Sequence, residues 1–237
     1  MKRIFLIIYL FLTTCLFAGE FKWARVKFDV VETDTEETWR YADHVYNGNS
    51  QLAMKEDFSK DEAFLKELER LTTIKTDGKV HVVTLDNLEE LCNYSMVFMH
   101  GGGTPKLSEK EKKNLKAYME RGGFVFADDC INYGVDDIFF RGYKKLIKEL
   151  FGREMEVLPL DHPIYSCHFQ LTNGFPCMQG PRKPAVGLHD KENRLMTIAA
   201  CGDLHCEWGK DLNRASKTKI EDCFRMGINI VVYVLTH

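Results

Sequence analysis

The chain of 237 residues has no internal repeat, no low-complexity tract and no stretch rich in proline and serine, so nothing divides it into several units. It has no excess of positive charge. Its 32 Lys and Arg stand against 35 Asp and Glu, a formal net charge of −3, and the charges are scattered rather than blocked. Nucleic acid is therefore not an expected partner. No apolar run reaches the roughly 18 to 20 residues that a membrane-spanning helix needs; the run from Ile4 to Phe17 is shorter and is broken by Thr13 and Thr14. No two cysteines or histidines have the C-x-x-C or H-x-x-x-H spacing of a compact metal site, so no metal is expected. Gly101-Gly102-Gly103 lacks the following Lys-Ser/Thr of a phosphate loop; a plain turn is the first reading, and approach of an anion to its backbone N–H groups is the second.

What is present begins with a leader. Lys2 and Arg3 precede the apolar run, and Ala18 offers a small residue for cleavage, which is the pattern of a secretory signal peptide over residues 1–18. Lipidation at Cys15 is the alternative, disfavoured by Thr14 immediately before it. Either way the expected destination is outside the cytoplasm, periplasmic or secreted, with no transmembrane segment left after cleavage. Removing 18 of the 237 residues leaves 219, which suits one α/β domain over residues 19–237. The cysteines beyond the leader are Cys92, Cys130, Cys167, Cys177, Cys201, Cys206 and Cys223, an odd number that cannot all pair within one chain. Cys201 with Cys206, or Cys167 with Cys177, are the pairs whose spacing suits a bridge in an oxidising compartment.

The order of elements gives the fold class. Residues 22–28, 79–85, 94–99, 124–127, 156–160 and 194–202 read as strands. Between them, residues 59–75 place Phe64, Leu65, Leu68 and Leu71 on one helical face behind a Ser59-x-x-Glu62 capping box, and residues 107–121 form a helix behind a Ser108-x-x-Glu111 box. Strands alternating with single helices imply right-handed crossovers and a mainly parallel sheet covered on both faces. The last apolar segment, 220–237, is open between helix and strand: its β-branched residues favour one, its length and 3.6-residue spacing the other.

Several stretches in order, FKWARVKFD, LSEKEKKNLKAYMERGGFVFADDC, FRGYKKLIKELF, LPLDHPIY, CEWGKD and FRMGINIVVYVLT, resemble domain-of-unknown-function family 4159. This bacterial family is grouped with the class I glutamine amidotransferase-like superfamily. The resemblance covers nearly all of the chain after the leader and implies a flavodoxin-like three-layer α/β sandwich. It implies no established activity, and fold alone does not give one. Relatives tend to occur beside envelope proteins, which fits a protein partner.

Candidate site residues follow from the expected position of loops at the carboxyl ends of parallel strands, where ligands bind in open sheets. Asp128, Asp129 and Cys130 end one strand, and His100, Gly101 and Gly102 end another. Cys130 with His205 and Glu207 has the residue types of an amidotransferase triad. However, its flanks are Asp129 and Ile131 rather than glycines, and two adjacent carboxylates raise a thiol pKa, so glutaminase chemistry is not expected. The paired acids either cap the next turn or, joined by Asp161 and His162, work as general acid and base in a hydrolase acting on a carbohydrate or cell-wall derivative. Arg141, Glu207 and Trp208 are candidate ligand contacts, an anion partner, a polar contact and a stacking surface. The leading expectation is a binding module for a small molecule or an envelope protein, with any cofactor unspecified; the hydrolase is the alternative.

Overall fold

A computed structural model describes residues 20–31, 51–129, 137–177, 183–210 and 215–237, with backbone alone for 51–57. The expected leader, its cleavage point, Cys15 and Cys130 lie outside these residues.

The centre is a seven-stranded, mostly parallel sheet. Strands β1 (Phe21–Lys27), β3 (Thr76–Thr84), β4 (Met96–Gly101), β6 (Phe124–Asp129) and β9 (Leu195–Ala200) run parallel, and β8 (Val186–His189) and β7 (Glu156–Val157) extend the β9 edge antiparallel. The spatial order is β3-β1-β4-β6-β9-β8-β7. A small separate ladder joins β2 (Asp29–Val30) to β5 (Pro105–Lys106). The chain moves outward from β1 to β3 and then crosses back to β4, so connections diverge between the carboxyl ends of β1 and β4. Such a divergence leaves a crevice in an open sheet.

Six helices appear among the described residues: α1 (Gln51–Leu71), α2 (Leu88–Leu91), α3 (Glu109–Glu120), α4 (Ile138–Phe151), α5 (Leu204–Glu207) and α6 (Lys217–Thr236). Successive strand side chains point to opposite faces, and both faces are covered. On one, Trp23, Phe98 and Phe126 meet Phe64 and Leu68 of α1, Trp208, and Phe224 and Ile228 of α6. On the other, Val97, Val125 and Ala127 meet Leu115 and Met119 of α3 and Phe139 and Ile147 of α4. Burial on both sides explains why the β4 and β6 sequences are apolar without alternation.

The Ser108–Glu111 capping box forms as expected, with Glu111 N–H donating to Ser108 Oγ and Ser108 N–H to Glu111. The Ser59–Glu62 box does not. Helix α1 already begins at Gln51, so Ser59 lies inside it, on a run with no helix breaker before it. The open C-terminal segment is helix: α6 buries Ile220, Phe224, Ile228 and Val231 along one face, and a 3.6-residue period over 20 residues outweighs the weak helix preference of its β-branched residues. Of the strand expected at 156–160, only Glu156–Val157 pairs.

Candidate functional site

At the end of β6 the two acids separate. Pleating sends Asp128 to the α1/α6 face and Asp129 to the α3/α4 face, both buried. Asp128 accepts three backbone N–H bonds, Oδ1 from Gly202 and Asp203 at 3.1 Å each and Oδ2 from Leu204 at 2.7 Å. The Asp203 and Leu204 N–H groups are orphan donors at the start of α5, whose own N-cap residue, Asp203, makes no side-chain cap, and Gly202 N–H lies just before it. Asp129 Oδ2 accepts from Phe140 N–H at 2.7 Å, at the third position of α4, whose own N-cap, Asp137, again makes no side-chain cap. Two adjacent carboxylates at one strand end thus supply caps to two helices on opposite faces. Burial pushes the Asp128 carboxyl up to about 8, with the N–H groups of Leu204 and Gly202 pulling the other way. Burial pushes Asp129 up to about 7 against the Phe140 N–H bond.

Beside them, at the β1/β4 divergence, lies a buried polar cluster. Arg25 from β1 and His100 from β4 share the α1 face with Asp61, which α1 places one turn before Phe64. Asp61 Oδ1 accepts from Trp23 Nε1 at 2.9 Å, and its Oδ2 lies 3.1 Å from Arg25 Nη1 and 3.5 Å from His205 Nε2. The His205 and His100 rings are 4.6 Å apart, and His100 Nε2 is 3.8 Å from Asp203 Oδ1. Asp203 has φ +52°, a left-handed conformation that is costly for a residue with a Cβ and that directs the turn into α5. Burial, followed by the nearby His205 and Arg25, holds His100 well below the usual histidine value, so its ring is neutral. The arrangement links β1, α1, β4 and α5 through an ion pair, a hydrogen bond and rings that are almost wholly withdrawn from solvent. It is chemically suited to fixing these elements relative to one another.

The other expected site residues lie elsewhere. Gly101 and Gly102 are buried, and a Cβ at Gly101 would stand 3.0 Å from the Phe139 ring and 3.1 Å from that of Phe28, so glycine here admits aromatic packing. Trp208 is fully buried, its indole stacked on Phe64 at 4.3 Å and its Nε1–H donating to the Cys223 carbonyl at 3.4 Å. That leaves no indole face for a flat ligand. Glu207 is buried on the same short helix. Arg141 is exposed on the first turn of α4, 3.6 Å from Asp137. Asp161 and His162 do not join the acids. The His162 ring is 5.7 Å from His189, which pairs with Leu195 at the start of β9, whereas Asp128 pairs with Ala200 at its end. Five residues of strand, about 16 Å, separate the two levels.

Among the described residues no group of three or more His, Cys, Asp or Glu side chains is arranged to hold a metal ion. Cys92, Cys167, Cys177, Cys201, Cys206 and Cys223 form no disulfide, so neither pair with suitable spacing is bridged. No helix of the described residues is long and apolar enough to cross a membrane.

Arg25, Asp61 and Asp203 are absent from the expected site. One signal for Asp61 was in the sequence: Asp61, Phe64, Leu65 and Leu68 follow the i, i+3, i+4, i+7 pattern of a buried helical face. An acid in that pattern must be buried with a partner, and Arg25 is an arginine within a strand that is otherwise mostly apolar.

A mostly parallel sheet with helices on both faces and a polar cluster at the strand ends defines an α/β domain of the open-sheet class. The chain belongs to the family described as domain of unknown function DUF4159, which it matches over residues 44–235. None of the curated proteins is similar enough to count as a match.

Proposed function

We propose that the protein is an exported cell-envelope binding module, built on a flavodoxin-like scaffold of the class I glutamine amidotransferase type and without glutaminase chemistry. The order of the parallel strands supports the scaffold: taken in chain order they lie 2-1-3-4-5 across the sheet, the flavodoxin-like order. The leader pattern of residues 1–18 supports export.

One observation carries the non-catalytic reading. Asp128 and Asp129, the acids best placed for chemistry, sit on opposite faces and are both taken up by helix N-termini. A general acid and base must reach one substrate from one cleft. The hydrolase alternative also needs Asp161 and His162, which are at the other end of the strands.

The test is turnover. Ammonia release from glutamine and hydrolysis of cell-wall fragments are measured for wild type, Cys130→Ser and His162→Gln, beside melting temperatures. The expected result is no turnover above buffer in any of them. Turnover in wild type that either substitution abolishes at unchanged melting temperature contradicts the proposal.

A further inference from the structure

A cleft of about 440 Å³ lies between the C-terminal half of α1 and the first turns of α6, away from the strand-end cluster. That volume is within the range of small-molecule sites. Its floor is apolar: Leu71 from the last turn of α1, Ile220 and Phe224 one turn apart on α6, and Phe169 from the loop before β8. Its mouth is not. Arg70, Lys210, Lys217 and Arg225 line it with Glu67 and Glu221, and Asp222 beside them pairs with Arg225 at 3.5 Å, so four cations face three acids in a chain whose formal net charge is −3.

The cations are held over the floor rather than turned away from it. Lys210 Nζ stands 5.3 Å from the centre of the Phe224 ring, and the Arg225 guanidinium 5.8 Å from that of Phe169. Lys210 takes φ +58°, fixed by its N–H bond to the Glu207 carbonyl at 2.9 Å, so backbone strain is spent at the rim of this cleft. Glu67 shows what the mouth accepts: a carboxylate there is gripped by Lys210 at 2.8 Å and Arg70 at 2.6 Å.

We infer that this cleft binds a small amphipathic anion, an aliphatic or aromatic carboxylate or sulfonate, with its apolar body on Leu71, Ile220, Phe224 and Phe169 and its acid group on Lys210 and Arg225. The inference rests on the binding-module reading and gives it a ligand class. Apolar area supplies affinity, and the paired cations set orientation and reject cationic amphiphiles.

The experiment titrates 8-anilinonaphthalene-1-sulfonate into the processed chain from residue 19, with the full chain beside it, reading fluorescence and melting temperature. The expected result is one probe per chain, a melting temperature that rises with probe concentration, displacement by dodecanoate and none by dodecyltrimethylammonium. Lys210→Glu with Arg225→Glu weakens the probe at least tenfold; if that pair melts early, Lys210→Glu alone, at an exposed position, is used with the same criterion. Unchanged affinity in the variant, or equal displacement by the cationic amphiphile, overturns the inference and leaves the binding-module reading standing on other surfaces. Glutamine or cell-wall turnover by the wild type does the reverse, overturning that reading without touching the cleft.

Discussion

Asp128 and Asp129 illustrate how residue type alone misleads when strand geometry is left out. Adjacent acids look like a pair, yet adjacent residues on a strand never share a face. Removing Asp128 leaves three buried N–H groups at the start of α5 without an acceptor, and each such loss costs roughly 1–3 kcal/mol. Asp128→Ala is therefore expected to destabilise the fold by about 3 kcal/mol or more, read as a shift of the urea midpoint. Asp129→Asn, which keeps one acceptor oxygen for Phe140, should cost about 1 kcal/mol. The pH dependence has a definite sign. Both carboxyls are raised in the folded state, to about 8 and about 7. Their contribution is therefore fully present below the unfolded carboxylate value and is lost as pH rises through the folded values. His100, His162 and His189 are lowered in the folded state, so their contribution is already complete above about pH 6.5. From pH 7 to 8.5 stability should consequently fall, and Asp128→Asn should flatten the decline. A melting temperature that rises across this window in the wild type would refute the assignment.

At the scale of elements, one close junction is where α6 crosses α1 and the turn after α5. Gly227 permits it: a Cβ there would lie 2.7 Å from the Phe64 ring and 2.9 Å from that of Trp208. Gly227→Ala must displace the stacked Phe64–Trp208 pair, and overpacking of this kind typically costs 1–3 kcal/mol. Near-ultraviolet circular dichroism of the tryptophans should change with it, while helix content stays constant. The same elements show how far the sequence was legible. Strands β4, β6 and β9 announced themselves because double burial writes apolar runs, β1 because KWARVKF alternates, β3 because KVHVVTL is rich in β-branched residues, and α3 because its capping box is local chemistry. The start of α1 did not, since Ser59 and Glu62 match a box wherever they occur and nothing local says that a helix is already under way. β8 was missed because four residues, VGLH, carry no usable period. The buried polar cluster was legible in position, at the carboxyl ends of the strands, but not in membership. Arg25, Asp61 and His205 meet only through tertiary packing, and the cleft between α1 and α6 requires knowing that the last segment is a helix lying beside α1.

For the whole molecule, the thiols give an independent check on the fold. Cys92 is exposed, while Cys201 and Cys223 are buried on opposite faces and burial pushes both thiols up. Native alkylation should label Cys92 first and leave Cys201 and Cys223 until unfolding, and reductant should not lower the melting temperature through any described pair. Rapid native labelling of Cys223 would place α6 wrongly. The central claim is that Asp128 and Asp129 are two separate caps, and hydrogen exchange resolved to single amides in Asp128→Ala and Asp129→Ala, which remove every acceptor oxygen, tests it most directly. Asp128→Ala is expected to speed exchange at Gly202, Asp203 and Leu204 and leave Phe140 protected, and Asp129→Ala to do the opposite. Exchange that rises at both helix starts in either variant would contradict it, making the two acids one coupled site.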